Sequence, residues 1–158
     1  RDGRAYRFRT APVDPYDAFR GKYVALSFEQ STMGCRGLSL GRGQQVYAAI
    51  VEDAQGFASL TNLSLQPPAG VSYLKARVNY AYSDMARLEL PFDRYYMEET
   101  MAPKAEQVYR GRSRRGETNV WAQVRVRNGF AVLEDMYLDG QPMREFVRTP
   151  KEGTTSRP

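Results

Sequence analysis

Short stretches in which apolar and polar residues alternate recur along most of the chain. Such alternation places successive side chains on opposite faces of a strand, so it predicts strands with one buried face. Clusters of Gly, Pro, Asn and Asp, the residues typical of turns, separate these stretches. The predicted strands span residues 6–10, 22–28, 45–52, 57–65, 73–82, 85–90, 120–127 and 130–138, and residues 142–147 are predicted as an additional edge strand.

The turns between these strands differ in how specific their sequences are. Asn128-Gly129 predicts a two-residue type I′ hairpin, because both residues tolerate a positive φ, and Asp139-Gly140 predicts a second turn. Residues 31–43 hold four glycines and are predicted as an irregular loop.

Few stretches of the sequence show signals of a helix. Residues 102–112, with Pro103 near their start, form the best helix candidate. Residues 92–99 fit either a helical turn or the end of a strand. The fold class is therefore mainly β (a β-rich α+β protein). We expect an antiparallel barrel or sandwich of about eight to ten short strands with one or two short helices.

The domain organisation follows from length and composition. The chain has 158 residues, and 42% hydrophobic and 26% charged residues are ordinary for a globular protein. We predict one β-rich domain over residues 1–148 and a disordered polar tail over 149–158.

The absence of histidine and the presence of a single cysteine limit the catalytic mechanisms and metal sites that the chain can form. The chain has no histidine, which excludes Ser-His-Asp and Cys-His catalysis and removes the usual ligands of a catalytic zinc. We predict neither a metal nor a cofactor. Cys35 is the single cysteine and is interpreted as inert, since Arg36 is the one cation beside it in the sequence.

The net charge of +5 comes mostly from arginine. It fits nucleic acid, an anionic membrane surface, or simply an arginine-rich lineage with solvated side chains. Because the chain carries no nucleic-acid-binding motif, we predict no nucleic-acid partner. The basic run 110–115 is interpreted as a solvated loop, or as a contact to lipid headgroups or a partner.

Before strand 22–28, Pro12 and Pro15 fix the backbone, and Asp17 is predicted to cap one helical turn over residues 16–20, which Gly21 ends.

Several motifs together resemble the GDYXXLXY proteins of bacteria. Residues 9–15 (RTAPVDP), followed by Asp17, Phe19, Arg20 and Gly21, are similar to the opening of that family. Its name-giving motif corresponds to residues 21–28 (GKYVALSF), with Lys22 in place of Asp and Phe28 in place of the last Tyr. Residues 93–98 (DRYYME), 128–133 (NGFAVL) and 138–142 (LDGQP) resemble later parts of the family.

The resemblance implies a bacterial protein anchored to the inner membrane by one N-terminal helix, with this domain on the extracytoplasmic (periplasmic) face. It also implies a polytopic membrane protein as a possible partner. Since the chain starts at Arg1 rather than Met, we expect that such an anchor preceded it. The family supplies no established activity, and Lys22 puts in doubt any role of the carboxylate it replaces.

Two sets of charged residues are candidates for a site. Asp14 and Asp17 are close enough in sequence to form a carboxylate pair for acid–base chemistry or a hard cation. The favoured alternative is that Asp14 accepts turn N–H groups and Asp17 caps the helical turn, because the surrounding Pro and Gly are typical of turns. Arg20, Arg94 and Glu98 are hypothesised to line a groove for an anionic or peptide-like ligand, and the alternative is structural ion pairing.

Tyrosines supply the third candidate. Tyr23, Tyr95 and Tyr96 are hypothesised to form an aromatic ledge that contacts a ligand or partner, and core packing is the alternative. Lys22 with a nearby serine does not suffice for a Ser/Lys protease, because it alternates with apolar neighbours in a strand.

The function we predict is a non-enzymatic, membrane-tethered extracytoplasmic accessory or interaction domain. The alternative is an enzyme acting on envelope substrates through Asp14, Asp17 or Glu98.

Overall fold

A computed structural model describes residues 3–12, 19–20, 23–28, 31–97, 101–113 and 119–145, except for the side chains of residues 19–20 and 112–113. These residues are mostly β, with one helix of twelve residues. The elements are β1 (Arg4–Pro12), β2 (Phe19–Arg20), β3 (Tyr23–Phe28), β4 (Thr32–Gly34), β5 (Gln45–Glu52), β6 (Ala58–Ser64), β7 (Tyr73–Tyr82), β8 (Met85–Glu89), β9 (Arg94–Tyr96), α1 (Ala102–Ser113), β10 (Val120–Arg127), β11 (Phe130–Leu138) and β12 (Gln141–Pro142).

The described strands form two antiparallel sheets. The first runs β12-β11-β10-β1-β3-β2, with β9 also paired to β3, and the second runs β4-β8-β7-β5-β6. The sheets curve into a half-barrel and a nearly closed barrel. The predicted mainly β antiparallel fold is therefore confirmed, and of the two predicted architectures the structure shows the barrel rather than the sandwich.

Strand β1 connects the parts of the first sheet. Its residues 4–9 pair with β10, and its residues 10–12 pair with β3. The two sheets then meet at two isolated bridges, Arg7 with Phe57 and Leu74 with Gly129. The β10–β11 turn is thereby held against β7.

Both sheets enclose one apolar core. Its centre contains Phe8, whose ring lies 6.4 Å from that of Phe28 and 5.2 Å from that of Phe92. Strand β3 buries Val24, Leu26 and Phe28 and turns its other residues outward, as its alternating sequence predicts.

The hairpin predictions are confirmed. Asn128 and Gly129 have φ values of 52° and 85°, and Asp139 and Gly140 have values of 52° and 89°. Two successive positive φ values are the signature of a type I′ turn, whose twist matches that of the flanking strands. The helix prediction is confirmed to within one residue at the C-terminal end.

Three local predictions need correction. The predicted loop 31–43 contains β4, which pairs with β8 through its backbone and so does not require an alternating side-chain pattern. For residues 92–99, where the sequence left a helical turn and a strand end open, the structure shows a strand, β9, over Arg94–Tyr96. Phe19–Arg20 is a strand paired with β3, so the predicted helical turn 16–20 is wrong at its end, and its first three residues lie outside the described part.

The predicted edge strand 142–147 is wrong over its described part. Strand β12 ends at Pro142, and residues 143–145 are helical. The helical turn buries Met143 completely and lets Arg144 pair with Asp135. These two contacts favour a helical turn over a continued strand at residues 143–145. The predicted tail 149–158 lies outside the described residues. Within the described ranges, no helix is both long enough and apolar enough to cross a membrane.

Candidate functional site

The sequence-predicted site residues fall into three groups. Asp14, Asp17 and Glu98 lie outside the described residues. Arg20 is described in its backbone alone, which places it on β2 opposite Tyr23 of β3. The side chains of Tyr23, Arg94 and Tyr95 are described and lie on neighbouring strands.

One outward face of β3 and β9 brings Tyr23, Arg94 and Tyr96 together. Tyr23 is the register partner of Tyr96, and Ala25 is that of Arg94. The Arg94 guanidinium lies 5.0 Å from the centre of the Tyr23 ring, and the Tyr23 and Tyr96 rings are 5.7 Å apart. A hydrogen bond to the Tyr96 side chain, followed by the Asp93 charge, raises the pKa of Arg94. The cation thus lies over Tyr23, one ring of an exposed aromatic pair.

Tyr95 does not belong to this face. It pairs with Val24 on the opposite face and is only 8% exposed, so the structure splits the hypothesised ledge of three tyrosines. Burial, followed by the nearby Asp135 charge, raises the pKa of Tyr95 to about 12. Asp135 is itself buried, and its Oδ2 accepts a hydrogen bond from Arg144 Nη1 within an ion pair, which offsets part of the cost of burying the carboxylate.

A groove of about 380 Å³ begins beside Arg94. Four pieces of chain form its walls: the start of β5 at Gln45, the first half of β7, the segment that leads from the end of β8 into β9, and the turn between β10 and β11. The charged and aromatic residues that line it are Lys75, Arg77, Glu89, Asp93, Arg94 and Phe130.

The wall made by the β10–β11 turn depends on Gly129. The Lys75 N–H donates a hydrogen bond to the Gly129 carbonyl oxygen at 2.9 Å. A Cβ on Gly129 would lie 2.8 Å from the Tyr73 ring and 2.9 Å from the Lys75 Cγ, and its φ is +85°. Glycine is required both by the turn and by this close approach to β7. Phe130, the next residue, is thereby fixed at the rim of the groove.

Charges of both signs line the groove. Lys75, Arg77 and Arg94 are cationic, and Glu89 and Asp93 are carboxylates. Burial raises the pKa of Asp93, and the Arg94 charge opposes that shift. Lys75 Nζ lies 3.8 Å from the centre of the Phe130 ring. Neither Lys75 nor Glu89 forms an ion pair with another residue in the described part of the chain.

The groove combines an exposed ring with two charges, Lys75 and Glu89, that form no ion pair among the described residues. Phe130 is 65% exposed although it is apolar, and Tyr96, on the adjoining face, is also 65% exposed. Such an arrangement can take up an amphipathic extended segment, whose side chains would cover the rings while its charges meet Lys75, Arg94 or Glu89. Among the described residues, no three Cys, Asp or Glu side chains cluster in a way that could hold a metal ion.

The other singled-out features lie away from the groove. Cys35 is buried, and its N–H donates to the Asp84 carbonyl oxygen at 2.7 Å. In the basic run 110–115, Arg110 belongs to α1 and pairs with Glu106 at 2.6 Å, whereas residues 114–115 lie outside the described part.

Sequence reasoning missed Lys75, Glu89 and Phe130 as site residues. Each belongs to a stretch that the sequence marks only as a strand, and the three meet through pairing between the two sheets. The one usable signal was Asn128-Gly129, which predicts the turn but not what the turn packs against.

These observations define a mostly β domain of two joined antiparallel sheets with an open groove of mixed charge between them. Residues 1–136 match the GDYXXLXY protein family, and the chain belongs to that family. A search of curated proteins and a search of solved structures each found no match.

Proposed function

We propose that this domain is a non-enzymatic interaction module that binds an extended segment of a partner protein in the groove. The observation that carries the proposal is Phe130, an apolar ring fixed at the rim of the groove and left largely in solvent. Exposed apolar rings bordered by charges of both signs are typical of surfaces that become buried in a complex.

Three features around Phe130 support a peptide rather than a compact small molecule. The groove is open, it carries both cations and carboxylates, and Tyr23 and Tyr96 extend the exposed aromatic surface along the same face as Arg94. A peptide presents apolar, charged and backbone groups along an extended chain, so it can contact the aromatic rings, the cations and the carboxylates of an open groove at the same time.

We further propose that the domain works on the extracytoplasmic (periplasmic) side of the inner membrane, tethered by an N-terminal helix, as an accessory to a polytopic membrane protein. Family membership supports this placement, together with the membrane anchor that the family resemblance implies. In this arrangement, the bound segment is an extracytoplasmic loop of the partner. Protease protection in spheroplasts tests the placement: full-length protein that resists added protease until the membrane is lysed would contradict it.

A quantitative co-purification tests the groove. Full-length, membrane-anchored protein is compared as wild type, Phe130→Asp, Arg94→Glu and Arg42→Ala, each crosslinked in cells before lysis. Arg42 is exposed and lies outside the groove, so its replacement controls for a general loss of positive charge. A partner recovered equally with Phe130→Asp and with wild type would rule out the groove as the interface.

The alternative is an envelope-acting enzyme that uses Asp14, Asp17 or Glu98. It predicts that replacing these three by the matching amides abolishes cellular function while the partner is still bound. The interaction module predicts the opposite dependence, in which cellular function is lost with Phe130→Asp and retained with the three amides.

A further inference from the structure

A second cavity, of about 590 Å³, lies where β1 leaves β10 and begins to pair with β3. Its polar lining consists of hydroxyl, amide and guanidinium groups, from Arg9, Thr10, Ser27, Thr32, Arg87 and Asn119. None of its described lining residues is a carboxylate. This pocket therefore differs in chemistry from the mixed-charge groove.

The two arginines of this pocket have different partners. Arg9 Nη1 donates to Asp53 Oδ2 at 3.0 Å, and its Nη2 donates to Gln55 Oε1 at 2.5 Å, so its charge is already compensated. Arg87 Nη1 makes one long contact of 3.4 Å to Thr32 Oγ1. Within the described residues, Arg87 pairs with no carboxylate.

We propose that this pocket binds the phosphate group of a phosphoester, with Arg87 as the principal cation. The planar guanidinium presents two parallel N–H groups that match two phosphate oxygens. Thr32 is the register partner of Arg87 across β4 and β8, so its hydroxyl lies beside the guanidinium and can donate to a third oxygen.

The remaining wall favours an anion over a cation. Thr10 Oγ1 donates to the Ser27 carbonyl oxygen at 2.7 Å, which holds β1 and β3 together at the floor of the pocket. Ser27 and Asn119 contribute further polar groups, whereas a bound cation would face Arg87 without a described carboxylate to compensate it. The pocket is larger than one phosphate ion, so the group belongs to a larger molecule, either a soluble phosphoester or a lipid headgroup.

The test is a binding titration of the 158-residue chain with two probes. Inorganic phosphate is titrated by NMR or calorimetry against sodium chloride of equal ionic strength. Vesicles of phosphatidylcholine with and without phosphatidylglycerol are then compared by co-sedimentation. Phosphate binding without vesicle binding assigns the site to a soluble phosphoester, and binding to the phosphatidylglycerol vesicles assigns it to a headgroup.

Variants decide whether either signal comes from this pocket. Arg87→Ala is expected to weaken binding about tenfold or more, because it removes charge-assisted hydrogen bonds. Thr32→Val keeps the side-chain shape and is expected to weaken binding a few-fold. Arg42→Ala makes the same charge change on an exposed loop outside the pocket and should leave binding unchanged. Absence of saturable binding to both probes, or equal losses in Arg87→Ala and Arg42→Ala, would overturn the proposal.

Discussion

Two groups of cations that lie over aromatic rings differ in whether a carboxylate pairs with a cation of the group. In the first, Arg7 and Arg9 lie over Phe57 at 4.9 Å and 4.1 Å, and Arg7 also lies 5.3 Å from the centre of the Trp121 ring. We call this set, with Asp53, the closed stack. In the groove, Arg94 lies over Tyr23 and Lys75 over Phe130 with no described carboxylate in an ion pair with either cation.

The difference lies in the carboxylate that pairs with Arg9, since, among the described residues, Arg7 donates only to the Gln55 carbonyl oxygen, at 3.3 Å. Arg9 pairs with Asp53 at 3.0 Å, and Asp53 Oδ1 also accepts the N–H groups of Gln55 and Phe57 at 2.9 Å. These backbone hydrogen bonds, followed by the Arg9 hydrogen bond, lower the pKa of Asp53. In the groove, burial instead raises the pKa of Asp93. The closed stack is therefore arranged for stability, and the groove keeps groups that a ligand can satisfy.

The largest expected effect is at the closed stack. Trp121 is buried, stacks on Tyr137 with ring centres 4.0 Å apart, and meets Phe57 edge-on at 6.0 Å. Trp121→Ala should lower the free energy of unfolding by about 3–5 kcal/mol, because it leaves a large cavity under the stack. Urea denaturation measures this, with Tyr82→Ala as a control at an 81% exposed position. Equal losses in the two variants would mean that the stack is not a stabilising element.

A second large effect is expected at the wall of the groove. Gly129→Ala would place a Cβ within 2.9 Å of two β7 side chains and force alanine to a φ of +85°. We expect a loss of about 2–4 kcal/mol from strain and overlap together. Gly140→Ala is the matched control, since its φ of +89° is similar but its Cβ would meet nothing within 4 Å. If both variants lose the same amount, the close approach to β7 contributes nothing.

Much of the fold could be predicted from the sequence because it is local. Alternation predicts β5, β7 and β10 with their correct ends, and Asn128-Gly129 predicts the turn between β10 and β11. The site could be predicted only in part. Arg94 and Tyr23 are recognisable as members of family-like motifs, but nothing in either stretch indicates which arginine will find a carboxylate.

The missing information is the pairing between sheets. Arg9 and Arg94 look alike in sequence, each next to aromatic residues. They differ because β1 faces the Asp53 turn, whereas the face of β9 that carries Arg94 meets solvent. The same holds for Tyr95 and Tyr96, neighbours in sequence that the strand geometry sends to opposite faces.

The buried reverse side of β9 gives a pH-dependent prediction. A folded-state pKa of about 12 for Tyr95 exceeds the value of 10 expected when the chain is unfolded. Between these values, the unfolded chain loses the proton and the folded chain keeps it, so the free energy of unfolding falls by about 2 kcal/mol as pH rises from about 10 to about 12. Tyr95→Phe should lack this component of the alkaline loss. Denaturation at several pH values compares it with Tyr80→Phe at an exposed position, whose alkaline loss should equal that of the wild type.

The smallest effect on stability is expected on the exposed face beside the groove. Tyr96→Ala should change the free energy of unfolding by no more than about 0.5 kcal/mol, because the ring is 65% exposed. Partner binding should nevertheless weaken if this face extends the groove. Loss of more than about 1 kcal/mol of stability would make Tyr96 part of the scaffold and remove the contrast with Trp121.

Site-specific photo-crosslinking in cells tests the central claim most directly. A photoreactive phenylalanine analogue replaces Phe130 at the rim of the groove or, as a control, Tyr82, which is more exposed and lies outside it. The groove as an interface predicts a discrete crosslinked adduct from position 130, lost when Arg94→Glu is added, and none from position 82. An adduct from position 82 with none from position 130 would contradict it.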